Sequence, residues 1–387
     1  MAATEITSGF VIVAAGADMA KTLCIFLARL SDGGAERIAV TLLAPLRERG
    51  YEPFLVVGRA GGALADGVPA GFRQIHLGCS RLINMIGPLA HVLRAERPDF
   101  ILSSLSYTNI AAGLAWRLSG RKGKLVLVQH SVLSRQISDR TRPTDALLGY
   151  AYRLLCPAAS GLVAVSQGVA DDLAATAHIG RENITVIYNP VHAPSAPNSE
   201  PREHLHPFFR RRGVPVFLAA GRLAPVKNFS SLLLAFSKVL PRLDSRLLIA
   251  GEGPDRPRLE QLIGVLGLTR HVELLGYTQN LASYLKAAAT FVLSSRHEAF
   301  GNVLVEALAA GTTVVSTDCP FGPREILDGG RYGILVTPDD PEALAEGMMR
   351  ALTAPFPPER LKARADTFCV ASAADRYAEL FHRVGRS

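Results

Sequence analysis

Two Rossmann-like α/β domains, each built on a parallel sheet, are the fold class that this sequence predicts. Three observations carry that expectation. The chain has 387 residues, too many for one comfortable core and enough for two domains of roughly 180. Short, nearly continuous apolar runs recur along it with helix-like segments between most of them, the pattern of strands buried on both faces by crossover helices. From Asn189 to Gly213 the composition shifts to proline, serine, histidine and arginine, which reads as a linker (residues 191–213) between the two units.

Taken in order, residues 1–20 look like an N-terminal extension. Their apolar patch, Phe10 to Ala17, lacks a basic leader and is interrupted by Asp18 and Lys21, so it is a poor signal peptide. The first domain, residues 21–190, opens with the apolar run Thr22 to Ala28, then the break SDGGAER and a helical pattern to Arg49. Further strands are expected at Pro53 to Val57, Asp99 to Ser103, Lys124 to Val128, Gly161 to Ser166 and Ile184 to Tyr188. Ligands of such sheets bind at the carboxyl ends of the strands. Gly33 and Gly34 occupy the first of those ends, and His130 follows the run KLVLVQ. A tight turn explains two glycines and a structural role explains one histidine, so both readings stay open from the residues alone. The turn lacks the Gly-x-Gly-x-x-Gly fingerprint, which disfavours a dinucleotide cofactor. The segments Arg81 to Arg97 and Val132 to Leu155 mix arginines with large apolar residues. They fit ordinary amphipathic helices packed on a sheet, or an interfacial face turned to an anionic membrane.

The second domain, residues 214–370, begins with the run Val214 to Ala220, followed by GRLAPVKNF. Arg222 and Lys227 flank this loop before a helix expected near Phe229, and cations beside helix amides suit a diphosphate because charge and dipole act together. Arg246 to Ala250 and His271 to Gly276 repeat the strand-and-turn pattern, the latter ending at Tyr277. After the run Thr290 to Leu293 comes SSRHEAFGNVLVEALAAG. Glu306 stands there among Val303, Leu304, Val305, Ala307 and Leu308, where desolvating an unpartnered carboxylate costs several kcal/mol by rough estimate. Glu298 lies on the loop feeding the same helix, and Gly301 lets a ligand approach the backbone beside Phe300 and Asn302. The bland alternative is a solvated Glu298 and a Glu306 on an exposed stripe. A last strand at Thr313 to Asp318 leads to Gly322 and Glu325, and residues 371–387 contain an amphipathic helix over Ser372 to Val384.

Composition narrows the classes further. A hydrophobic share of 48% with 20% charged residues is that of a soluble globular protein. The net charge of +8 is spread out: 19 Lys and Arg against 14 Asp and Glu up to Pro190, and 23 against 20 beyond it. This suits anionic ligands or an anionic membrane surface better than a nucleic-acid partner, which favours one basic stripe. Five cysteines form no close-spaced pair, which suggests neither a zinc site nor a disulfide framework and fits a reducing cytoplasm. No stretch nears the ~18 apolar residues of a spanning helix, so any membrane contact would be peripheral.

The order Glu298, seven residues, Glu306 after a strand resembles the motif of the retaining glycosyltransferases of family 4, which have the GT-B fold, and SRHEAFGNVLVEALAAGTTVVSTDCPFGPREIL matches that family's pattern throughout. DGGAERIAVTLLAPLRERGYEPFLVV is similar to its N-terminal opening, and GRLAPVKNF to its Gly-Arg…Lys-Asn element. The resemblance implies a GT-B enzyme without a cofactor or metal. It would hold a UDP- or GDP-linked sugar donor and pass the sugar, with retained anomeric configuration, to a glycan or lipid-linked glycan acceptor. It implies a catalytic group of Glu298, His130, Arg222 and Lys227. Donor contacts are implied from Gly33, Gly34, Arg222, Lys227, Gly276, Tyr277, Glu298, Phe300, Gly301, Asn302, Val303 and Glu306. In the family, Glu306 would hold the ribose hydroxyls, His130 would lie near the sugar hydroxyls, and the loop after Gly276 would border the base. The helix at the C-terminus would cross back to the first domain. VVSTDCPFGPREIL is similar to members that build bacterial surface polysaccharide or lipopolysaccharide, on the inner face of the cell membrane. A nucleotide-sugar epimerase of the same fold and a non-catalytic two-domain binding protein are the rival readings.

Overall fold

The structure is a computed structural model that describes residues 20–31, 33–139, 142–191 and 205–386. The expected extension, apart from Ala20, and residues 192–204 of the expected linker lie outside the described residues.

The first sheet has seven parallel strands: β1 (Lys21–Arg29), β2 (Tyr51–Arg59), β3 (Gln74–His76), β4 (Phe100–Ser104), β5 (Lys124–Gln129), β6 (Gly161–Ala164) and β7 (Ile184–Val186). Their order is β3-β2-β1-β4-β5-β6-β7. Leu23 to Leu27 are buried without interruption, because helices cover both faces and leave no polar side for alternation. The second sheet has six: β8 (Val216–Ala220), β9 (Arg246–Ala250), β10 (Val272–Gly276), β11 (Thr290–Leu293), β12 (Val314–Thr317) and β13 (Ile334–Val336), in the order β10-β9-β8-β11-β12-β13. Each expected strand is present within a few residues of its expected limits. β3 and β13 were not expected; at three residues apiece they are too short to show a period.

Each sheet is wound outward in both directions from a central pair, β1 with β4 and β8 with β11. At those two switch points the following loops leave toward opposite faces and open a crevice. The C-terminal helix, Val370–Arg386, lies on the first sheet. Its Phe381 packs at 5.2 Å from Tyr51 and 4.9 Å from Phe100, and Arg49 Nε reaches Asp375 Oδ1 at 2.7 Å.

Candidate active site at two switch points

β8 and β11 are hydrogen-bonded neighbours, with Phe217 paired to Thr290 and Leu218 to Phe291. Neighbouring strands deliver the loops 221–228 and 294–301 to one place although the chain separates them by some seventy residues. After β8 the chain makes a short turn over Pro225–Lys227 and places Asn228 in the left-handed region (φ 51°) before the helix Phe229–Val239. The Lys227 stem runs past Gly221, where a Cβ would lie 3.5 Å from Lys227 Cε. Lys227 Nζ then reaches Glu298 Oε1 at 2.5 Å, and Ser295 Oγ donates to the same oxygen at 2.7 Å. The pair is mostly withdrawn from water, with the Glu298 side chain 10% and the Lys227 side chain 20% exposed. In such a setting the attraction is screened less than at a surface.

The loop carrying Glu298 ends at Gly301, whose φ of 103° and ψ of 55° launch the helix Asn302–Ala309. Next to it, Gly322 permits a tight crossing, since a Cβ there would stand 1.9 Å from the Phe300 carbonyl oxygen. Gly301, Asn302 and Val303 line a cavity of about 510 Å³ between the domains, so this helix presents its positive end and first amides to that space. Gly33, Gly34 and His130 line the cavity from the first domain, and Lys227, Glu298, Phe300 and Glu306 from the second. Phe300 is buried behind the wall and stacks on Tyr188 with centroids 5.6 Å apart. An adjoining cavity of about 810 Å³ shares Gly34, Asn302 and Glu306 with the first and adds Arg37 and Tyr277.

Burial raises the Glu306 carboxyl above its ordinary value, and the Arg37 guanidinium opposes this. Glu306 is therefore neither an exposed-stripe residue nor fully enclosed; its apolar neighbours pack inward while it edges both cavities. Burial lowers the His130 imidazole to about 4, partly offset by a hydrogen bond with the Asn189 side chain. His130 is neutral at pH 7, which makes it a hydrogen-bonding group and not a fixed cation.

Two expected residues stand apart from the rest. Arg222 is exposed and lines neither cavity, because the next residue, Leu223, is buried and its N–H donates to the Glu252 carbonyl at 2.9 Å, turning the loop outward. Gly276 ends β10 at φ 75° and stays outside both cavities, while Tyr277 enters the second. Several neighbours were not singled out from sequence: Ser295; Leu105, at φ 75° after β4; Arg37; and Asn189, whose Nδ2 donates to Asn302 Oδ1 across the domains at 2.9 Å. Only Asn189 carried a hint, since it follows a strand and opens the proline-rich stretch.

The family model for Glycosyltransferase Family 4 matches residues 32–193, and that for Glycosyl transferases group 1 matches residues 214–354. The chain belongs to glycosyltransferase family 4. This glycosyltransferase is 28% identical over 346 residues to the N-acetylgalactosamine-N,N'-diacetylbacillosaminyl-diphospho-undecaprenol 4-alpha-N-acetylgalactosaminyltransferase of Campylobacter jejuni, covering 85% of this chain and 90% of that one. It is also 28% identical over 368 residues to the lipopolysaccharide core biosynthesis glycosyltransferase LpsD of Rhizobium meliloti, covering 91% and 96%. Among solved structures, Alr3699/HepE of Anabaena in complex with UDP and glucose superposes with a TM-score of 0.78 at 21% identity, over 94% of this chain and all of that one. The fold of the glycosyltransferase is GT-B.

Its two domains are also joined by Glu325. The Glu325 carboxylate accepts from the Gln167 and Gly168 amides at 2.8 and 3.0 Å, capping the helix Gln167–Ala177 of the first domain from the second. Ser166 Oγ, in turn, donates to the Ala299 carbonyl at 2.7 Å, one residue from Glu298. Glu325 stands in the first turn of its own short helix, Pro323–Ile326, yet its carboxylate serves a helix that lies over 150 positions away in the sequence.

Proposed function

We propose that this glycosyltransferase moves a hexose-type sugar from a UDP- or GDP-linked donor to a glycan or lipid-linked glycan, with retention of anomeric configuration and without a metal. The observation that carries the reading is the Lys227–Glu298 pair, 2.5 Å apart, lining a cavity with the N-terminus of the helix Asn302–Ala309. Breaking the bond to a nucleotide diphosphate concentrates negative charge on the departing phosphate. A cation and preorganised amides in a sheltered cleft stabilise that charge more in the transition state than in the bound donor. Lys227 and the amides near Gly301 take that role, and Arg222 approaches from the solvent side once the donor is in place. Glu298 orients the donor sugar and balances developing positive charge at the anomeric carbon, while His130, held neutral, hydrogen-bonds the sugar hydroxyls. Glu306 receives the ribose hydroxyls at the junction of the cavities, and the base extends toward Tyr277.

The relatives support the acceptor class: one acts on a diphospho-undecaprenol-linked glycan and another serves lipopolysaccharide core biosynthesis. An acceptor of that kind would bring the enzyme to the inner face of the cell membrane, in peripheral contact with its anionic lipids. Among the described residues no helix is long and apolar enough to cross a membrane.

Thermal melting with UDP, GDP and ADP, each with and without EDTA, tests the donor class, because a ligand of the folded state raises the midpoint with occupancy. One diphosphate should raise it, with EDTA making no difference. Product analysis by NMR then reads the anomeric configuration; an inverted linkage, or a rearranged free nucleotide sugar, would overturn the reading.

A further inference from the structure

At the end of the first sheet opposite the cleft lies a cavity of about 470 Å³ that the proposed reaction does not use. It surrounds the starts of β1, β4 and β5 and is lined by Lys21, Arg97, Arg121 and Lys124, with Trp116 and Asp99. Among the described residues none of these four cations is ion-paired. Asp99 is committed elsewhere, its Oδ2 accepting from the Thr22 N–H and hydroxyl at 2.8 and 2.9 Å. Arg97 (φ 48°) and Arg121 (φ 58°) both hold the left-handed backbone region, where glycine is at ease and a residue with a Cβ is strained. The turns at those positions do not ask for arginine; the Arg121 guanidinium lies over the Trp116 ring, 5.8 Å from its centroid, which holds a cation against the cavity wall. Gly123 closes the wall, since a Cβ there would meet the Pro98 carbonyl oxygen at 2.2 Å.

The helix Ser106–Leu118 runs straight into this basic cavity, with Trp116 lining it and Arg121 following the helix end. Its outer residues Leu114 and Leu118 are exposed, as are Leu147, Tyr150 and Leu154 along the neighbouring helix Leu148–Leu155, all between 42% and 66%. The two helices are tied together where Arg117 Nη2 donates to the Leu154 carbonyl at 2.9 Å. From Phe100 to Ser138 the chain has no acidic residue. An apolar face beside a cavity in which four cations outweigh the single carboxylate of Asp99 complements one partner in both respects, the interface of an anionic bilayer.

We propose that this face is the membrane-docking surface of the enzyme and that the basic cavity takes the phosphate headgroup of an anionic lipid, with Leu114, Leu118 and Leu154 entering the acyl boundary. The proposal rests on the reading of a lipid-linked acceptor at the membrane, yet it can fail separately. The test is co-sedimentation of the full chain with phosphatidylcholine vesicles with and without phosphatidylglycerol, at low and high salt. Binding is expected only with phosphatidylglycerol and should fade with salt. Arg97→Gly with Arg121→Gly removes two charges while relieving both backbones, and should weaken binding about thirty-fold. Leu118→Ser with Leu154→Ser should weaken it as well. Equal binding to neutral vesicles, or an arginine double variant that binds like the parent, would overturn the proposal. So would a dimer in analytical ultracentrifugation that Leu118→Ser dissolves, which would assign the face to a second copy. The UDP- or GDP-induced melting shift, measured on each variant, reads the cleft independently and so separates failure of this surface from failure of the donor site.

Discussion

Removing Lys227 should separate stability from catalysis in a way that no bystander residue could. In Lys227→Ala, the Glu298 carboxylate, 10% exposed, keeps only the Ser295 hydroxyl donating at 2.7 Å. Breaking a fully buried pair costs about 3–5 kcal/mol; with the lysine side 20% exposed, a discount to about 2 kcal/mol is reasonable. In a domain of this size that lowers the melting midpoint by about 4–8 °C. Loss of one preorganised group facing the leaving charge should cost turnover about 10²- to 10³-fold. The double variant Lys227→Ala/Glu298→Ala no longer buries an orphan charge, so most of the melting loss should return while turnover stays low. Melting curves and donor turnover on the two single variants and the double complete the cycle. Turnover in Lys227→Ala within about threefold of the parent, or turnover recovering together with stability in the double variant, would refute the role given to this pair.

Other outcomes follow from the same geometry. Glu306→Gln should melt higher than the parent at pH 8. Burial raises this carboxyl, so the stability of its neutral form is present below the unfolded value and lost as pH rises through the folded one. The same variant should bind the diphosphate about tenfold more weakly by isothermal titration; unchanged affinity would remove Glu306 from the ribose site. His130 is held down to about 4 from an ordinary 6.5, so its contribution is present above about 6.5 and disappears as pH falls toward 4. A plot of midpoint against pH should therefore be flatter across that window in His130→Gln, and a parallel plot would show that the ring is not buried neutral. Glu325→Ala strips two amide bonds from the helix Gln167–Ala177 and should cost about 1–2 kcal/mol, read as an earlier or split melting transition. An unchanged transition would mean that the interdomain cap contributes nothing.

Much of the site was legible because local chemistry marks it. Gly301 reports a special backbone and a helix start, Glu306 stands out against its apolar helix, and Lys227 sits before a predicted helix; all three reach the cavity. Arg222 carried the same local mark as Lys227 and is not brought in, because the hydrogen bond of the residue after it, Leu223, to Glu252 decides which way the loop turns. No local pattern announces Ser295 as a donor to Glu298, or Glu325 as the cap of a helix in the other domain, since each depends on which strands are neighbours and how the domains meet.

By itself the sequence determined the strand-and-helix alternation and the two-domain division. These follow from period, length and residue chemistry, which act over a few positions at a time. The tertiary structure alone decided that Lys227 and Glu298 touch, that His130 is stripped of water and neutral, and that four cations without an ion pair among the described residues gather at the far end of the first sheet. Contact, desolvation and the sum of charges at one place depend on distance in space, and β8 beside β11 or β1 beside β4 brings together residues that the chain keeps far apart.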